Sequence, residues 1–132
     1  MIVIDASVVS SLLLDDGTWG DQLRRRVRPE ELHAPHLIDL EVVSVFRGAL
    51  RSGAADAGRV EEALDDLAVL PIQRYPHTHL LGRIHELRDS VTPYDAAYVA
   101  LAEAIGAVLL TADARLSRAH GPTCPVELIT EA

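Results

Sequence analysis

Short apolar runs separated by stretches of helical periodicity constrain this chain more than any other feature. Ile2-Val3-Ile4, Leu32 to Ala34, Leu70 to Tyr75, Ala107 to Thr111 and Val126 to Ile129 are each of strand length. The fourth is apolar up to Thr111, the pattern of a strand covered on both faces of a parallel sheet. Between the runs, Leu37 to Arg51 carries Ile38, Val42, Val45, Phe46 and Ala49 at helical spacing and stops at Gly53. Arg59 to Leu70 sets Val60, Leu64 and Leu67 against Glu61, Glu62, Asp65 and Asp66, and His77 to Asp89 repeats the pattern through Leu80, Leu81, Ile84 and Leu87. Thr92-Pro93-Tyr94-Asp95 opens a further helix with a threonine cap, proline in the first turn and an acid at the third position; Gly106 ends it. Shorter helices are expected over Ser7 to Leu14, Trp19 to Val27 and Ala114 to Arg118. Strands alternating with helices predict an α/β fold, one domain over residues 1–132, with a mainly parallel central sheet flanked by helices.

Composition removes several classes of chemistry. The twelve basic residues are all arginine, so P-loop, Schiff-base and receiver-type lysine mechanisms are excluded. A single cysteine, Cys124, precludes an internal disulfide framework and a cysteine-rich zinc site. The opening MIVIDAS lacks a basic lead, so no secretory signal is expected, and no apolar run reaches the ~18 residues of a membrane span. A reducing cytoplasm is the expected setting. The net charge of −8 opposes generic nucleic-acid affinity but suits a protein that gathers carboxylates around a cation.

The acids have positions that invite such a role. In open α/β sheets, ligands bind beyond the carboxyl ends of the strands. Asp5 follows the first strand directly, Asp113 stands two residues past Thr111, and Asp95 opens the helix that feeds that strand. Each also has a structural reading: Asp5 and Asp113 as helix caps, Asp95 as the third residue of a capping box. Glu41 falls at the edge of the polar arc of its helix beside Ser44 and reads by pattern alone as a solvated glutamate. Asp39, nearer the apolar arc, reads as a first-turn cap.

Taken together, IDAS at the first strand, PHLIDLEVVSVFRGAL and TPYDAAYVALAEAIGAVLLTADARL resemble the PIN-domain ribonucleases, and among them the VapC-type toxins of bacterial toxin–antitoxin pairs. The similarity runs along essentially the whole chain in the right order. It implies an acidic site that binds Mg²⁺ or Mn²⁺ and hydrolyses RNA phosphodiesters, leaving 5′-phosphate ends. The catalytic and metal-binding acids it implies are Asp5, Glu41, Asp95 and Asp113, with Asp5 and Asp95 the more direct ligands and Thr111 and Ser7 in support. Many relatives carry asparagine where Ser44 stands, which leaves that position without an assigned role. The resemblance also implies a cognate antitoxin that places a basic side chain in the acidic pocket, and a homodimer. The physics is consistent: two carboxylates ~4 Å apart repel by about 4 kcal/mol at an effective dielectric of 20, so four need a cation or raised pKa values. All-oxygen donors suit Mg²⁺ or Mn²⁺ rather than zinc.

Around this centre, Arg88, Arg115 and Arg118 are the candidate RNA contacts, with Arg47, Arg51 and the Arg24–Arg28 cluster as further basic positions. Single arginines are more often simply solvated. His33, His36, His77 and His79 lack zinc-site spacing. Apolar side chains around Val42 to Phe46 suggest a dimer or antitoxin surface. Two rival readings stand beside the nuclease. A PIN-like binding module without catalysis is countered by the complete set of four acids. An Asp-based phosphatase-like enzyme calls for a DxD pair and a later lysine, where this chain has Asp5-Ala6-Ser7 and none.

Overall fold

Ile2–Ile4 forms β1, every residue of it buried, at the centre of a five-stranded sheet in the computed structural model, which describes residues 1–132. On one side β1 pairs with β2 (Leu32–Pro35), which pairs in turn with β3 (Ile72–Tyr75). On the other it pairs with β4 (Val108–Thr111), followed by β5 (Val126–Leu128). All four pairings are parallel, in the order β3-β2-β1-β4-β5. Strand order therefore reverses between β1 and β4, and the crevice at their carboxyl ends is where a doubly wound sheet receives its ligand.

Seven α-helices cover the sheet: α1 (Ala6–Leu14), α2 (Thr18–Val27), α3 (Ile38–Ser52), α4 (Ala57–Val69), α5 (Leu81–Glu86), α6 (Pro93–Ile105) and α7 (Ala114–Ser117). Local chemistry sets their ends. Asp5 is extended and accepts from the Val8 backbone N–H, starting α1; Asp56 does the same for α4 through Arg59. Thr92 caps α6 with Pro93 in the first turn, and Gly106, at φ +70°, ends it in the left-handed region that glycine adopts without strain. Ala96 through Ala102 are all buried. The four alanines in that run let α6 lie close to the sheet while Tyr98, Val99 and Leu101 fill the core.

The strands and most helices fall where periodicity puts them, with boundaries within one or two residues. The segment from His77 to Asp89 differs. It forms a short 3₁₀ turn, Thr78–Leu80, and then α5, which closes at Leu87. Only Leu80 and Leu87 of the expected stripe are buried, and Leu81 is exposed. Without a continuous apolar face the helix has no packing to extend it through Arg88-Asp89-Ser90. The helix α4 begins ahead of Arg59 because Asp56 supplies a cap. Asp39 does not cap α3: Arg74 on β3 holds both its carboxylate oxygens at 2.8 Å. Val42 and Phe46 belong to the core, and the apolar side chains that α3 leaves in solvent are Leu40, Val43, Val45 and Leu50. In the arginine cluster, Arg26 grips Glu127 with two N–H groups and Arg24 donates to the Leu12 and Asp15 carbonyls. Those two staple α2 to its neighbours, while Arg25 and Arg28 are exposed.

Candidate active site

At the strand-order reversal two hydroxyls lace the end of β1 to the end of β4. Thr111, the last residue of β4 and wholly buried, donates its hydroxyl to Asp5 Oδ2 at 2.5 Å and accepts the Asp113 backbone N–H at 3.0 Å. Ser7 donates to Asp5 Oδ1 at 2.5 Å and accepts the Ala112 N–H at 3.0 Å. Asp5 Oδ1 also receives the Val8 N–H at 3.2 Å, so both its oxygens are held and its side chain has a fixed direction. Asp5 is both a helix cap and the most deeply buried acid of the group, 5% exposed. Burial pushes its carboxyl above the ordinary range; the hydroxyl and amide bonds pull the other way, and the negative charge of Asp95 adds to the rise.

Asp95 occupies the first turn of α6, its own N–H bonded to the Thr92 hydroxyl. It is half-buried, and desolvation and then repulsion from Asp113 raise its pKa. Glu41 comes from the first turn of α3. Desolvation raises it too, with further repulsion from Asp95 and Asp5, while a hydrogen bond from Tyr98 opposes the shift. Asp113 caps α7 through the Arg115 N–H, and its carboxylate lies 3.6 Å from the Arg115 guanidinium. The fold thus brings Asp5, Glu41 and Asp95 into one field of mutual repulsion, with Asp113 joined to it through Asp95. No three of these acids stand close enough to form a ready-made metal cage.

An open cavity of about 460 Å³ adjoins the acids, with Asp95 and Asp113 in its wall together with Arg88, Arg115, Ser90 and Thr92. Two of the three expected arginines therefore face the groove; Arg118 is exposed but does not line it. Arg47 and Arg51 are exposed on α3, and Ser44 lines a separate small cavity with Leu40 and Tyr94. His33 meets the Tyr75 hydroxyl at 2.7 Å, and its Nε2 is buried without a partner. Cys124 is half-buried, and burial raises its thiol pKa, the opposite of an activated nucleophile.

Sequence reasoning missed Tyr98. Its hydroxyl donates to Glu41 Oε1 at 2.6 Å, and desolvation followed by the Glu41 bond raises its own pKa. The available signal was a large polar-tipped side chain in an alanine-rich helix, three residues after Asp95 and hence on the same face.

With this geometry in view, the similarities of the chain are informative. Residues 2–122 match the family model described as PIN domain. Ribonuclease VapC9 of Mycobacterium tuberculosis is 44% identical over 132 residues, 98% of each chain. Ribonuclease VapC12 of the same organism is 38% identical over 130 residues, 98% of this chain and 99% of its own. The crystal structure of PAE2754 from Pyrobaculum aerophilum superposes with a TM-score of 0.64 at 24% identity, covering 87% of this chain and 81% of that one. At that identity the likeness speaks for the fold alone. The family match and the near full-length relatives lead to one assignment: the chain belongs to the PIN-domain family, in its VapC branch.

Proposed function

We propose that this chain is a Mg²⁺- or Mn²⁺-dependent endoribonuclease toxin, neutralised by a cognate antitoxin. The observation that carries the reading is the set of acids Asp5, Glu41 and Asp95, each raised by burial and mutual repulsion, beside a groove that also presents Asp113 and two arginines. A cation relieves that repulsion more effectively than protons at neutral pH. The donor set fits: it is all oxygen, and Mg²⁺ keeps several waters and takes only one or two direct carboxylates, so a preassembled cage is not required. Asp5 and Asp95 would hold the ion, with Glu41 and Asp113 completing the acidic shell. When bound, the ion supplies Lewis acidity toward the phosphoryl group and a water of lowered pKa.

The chain's own residues do the rest. Thr111 and Ser7 fix Asp5 in one rotamer, so the site is preorganised at its most buried member. Arg88 and Arg115 supply phosphate contacts along the groove. Hydrolysis adds water across the P–O3′ bond, giving a 5′-phosphate on one fragment and a 3′-hydroxyl on the other, with the leaving oxygen taking a proton from solvent.

Partners follow from the same reading. A net charge of −8 and a cluster of acids with only Arg115 paired to one of them suit a basic antitoxin segment. The exposed Leu40 on α3 and the exposed Leu81 each share a small cavity with exposed Tyr94, a patch that suits a homodimer contact. No helix is long and apolar enough to cross a membrane, which agrees with a cytoplasmic setting. The test is RNA cleavage by purified, antitoxin-free protein with Mn²⁺ or Mg²⁺, beside EDTA and Asp5→Asn controls. Cleavage lost in both controls, with 5′-phosphate ends, is the expected result. Products ending in 2′,3′-cyclic phosphate, or cleavage that survives EDTA, refute the mechanism. A folded protein that neither cuts RNA nor binds metal is a binding module instead.

A further inference from the structure

We infer that Tyr98 is a positioning residue whose hydroxyl holds the Glu41 carboxylate in place for the cation site. The inference rests on the reading of the acids as that site. Tyr98 is 1% exposed, a member of the hydrophobic core, and it stands three residues beyond Asp95 on the same helix. Its hydroxyl reaches across to α3 and donates to Glu41 Oε1 at 2.6 Å. That is the one hydrogen bond the Glu41 carboxylate makes with the protein; Oε2 accepts none.

The arrangement matters because Glu41, unlike Asp5 and Asp113, has no backbone amide to hold its carboxylate. Asp5 is gripped by two hydroxyls and an amide, and Asp113 by the start of α7. Glutamate has three side-chain torsions, and fixing it costs up to ~2 kcal/mol of rotamer entropy. A tyrosine has two, and those of Tyr98 are already settled by packing. The buried phenol thus links α3 to the helix that carries Asp95 and settles Glu41 before any cation arrives. With Oε1 held by Tyr98, Oε2 is the Glu41 oxygen free of protein partners and open to the ion or to one of its waters.

Tyr98→Phe tests the idea, since it removes the hydroxyl and keeps the ring. The primary readout is Mn²⁺ affinity by calorimetry on wild type, Y98F, Glu41→Ala and the double variant, with cleavage kinetics alongside. Expected are a ~3–10-fold weaker Mn²⁺ affinity for Y98F, a fall in kcat with KM for RNA within twofold, and no further loss when Y98F is added to Glu41→Ala. A purely structural hydroxyl leaves Mn²⁺ affinity unchanged. Unchanged affinity in Y98F, with wild type binding and Glu41→Ala weakened, overturns this inference alone. No Mn²⁺ binding by wild type overturns the metal reading, and this inference with it. Should Y98F not fold, Glu41→Asp shortens the carboxylate from the solvent side and leaves Tyr98 in place. The same weakening is expected there, and wild-type affinity in Glu41→Asp overturns the inference.

Discussion

Thr111→Val isolates the hydroxyl that joins β4 to Asp5. Valine keeps the β-branched shape at a wholly buried strand end, so the change removes two hydrogen bonds and little packing. One is the bond to Asp5 Oδ2; the other is the acceptor for the Asp113 N–H. With Asp5 ionised the first is charge-assisted, worth ~1.5–3 kcal/mol, and with Asp5 protonated it is an ordinary bond worth ~1 kcal/mol. The part-buried Asp113 amide can be solvated in part, so its loss adds ~0.5–1 kcal/mol. The sum is about 3 kcal/mol with Asp5 charged and about 1.5 kcal/mol with it neutral. For 132 residues the unfolding entropy gives ~3.6 °C per kcal/mol. The metal-free melting temperature should therefore fall by ~11 °C at alkaline pH and by ~5 °C at acid pH.

The pH dependence has a definite sign. The folded pKa of Asp5 is raised above its unfolded value, chiefly by burial, so Asp5 contributes stability that is present below the unfolded pKa and lost as pH rises through the folded one. The Thr111 hydroxyl lowers that folded value; removing it raises the folded pKa further, and the gap between variant and wild type widens with pH. The assay is thermal or urea unfolding of both proteins in EDTA from pH 4.5 to 8.5. An equal loss across that range means the hydroxyl acts through packing alone, and the electrostatic account of Asp5 is then wrong.

Asp5→Asn should abolish cleavage yet raise the metal-free melting temperature by ~4 °C, about 1 kcal/mol, because it removes a buried charge; a lower melting temperature refutes the view that this acid is held at a cost to the fold. Mn²⁺ at a hundred times its Kd should stabilise wild type by ~2.7 kcal/mol, or ~10 °C, and Asp5→Asn hardly at all, in the same melts. Arg88→Ala or Arg115→Ala should weaken RNA binding and each reduce the salt slope by ~0.7 for single strands; an unchanged slope removes that arginine from the interface. Glu103, held by Arg83 at 2.7 Å and by Thr123, titrates at about 2 instead of 4.5. Its stabilisation is therefore present above pH 4.5 and lost as pH falls toward 2. The full linkage of ~3 kcal/mol shrinks to ~1–2 kcal/mol because Arg83 is partly exposed, so Glu103→Gln should cost that much at pH 7 and progressively less toward pH 3 in urea titrations.

The centre of the sheet was legible because β1 and β4 are buried and apolar almost throughout, and the ends of α6 because Thr92, Pro93 and Gly106 act through local chemistry. The sequence misled where a local pattern had no tertiary partner. Leu80, Leu81, Ile84 and Leu87 have helical spacing, but the fold buries only the first and last, and the helix is cut to six residues. Asp39 sits where a cap belongs, yet the guanidinium 35 residues on, at Arg74, claims it. No window over α3 contains that information.

The site divides along the same line. Asp5, Asp95 and Asp113 lie at element ends, where strand order and helix direction alone send a side chain to the β1–β4 crevice; Asp5 and Asp113 also cap their helices, while Asp95 gives its N–H to the Thr92 cap. Capping and a place at the sheet edge were posed as alternatives, and for Asp5 and Asp113 they coincide: the backbone amide that each caps also orients its carboxylate. Glu41 lies inside the first turns of α3 on the margin of a polar arc, and its place in the group depends on a tyrosine 57 residues away. Periodicity therefore makes it a solvated glutamate, and only the resemblance of the whole segment picked it out. An acid at an element end is placed by the backbone, whereas an acid on a helix flank must be placed by another side chain. For Glu41 that side chain is Tyr98, which is why the one candidate acid that pattern could not justify is also the one whose positioning turns on a single hydroxyl.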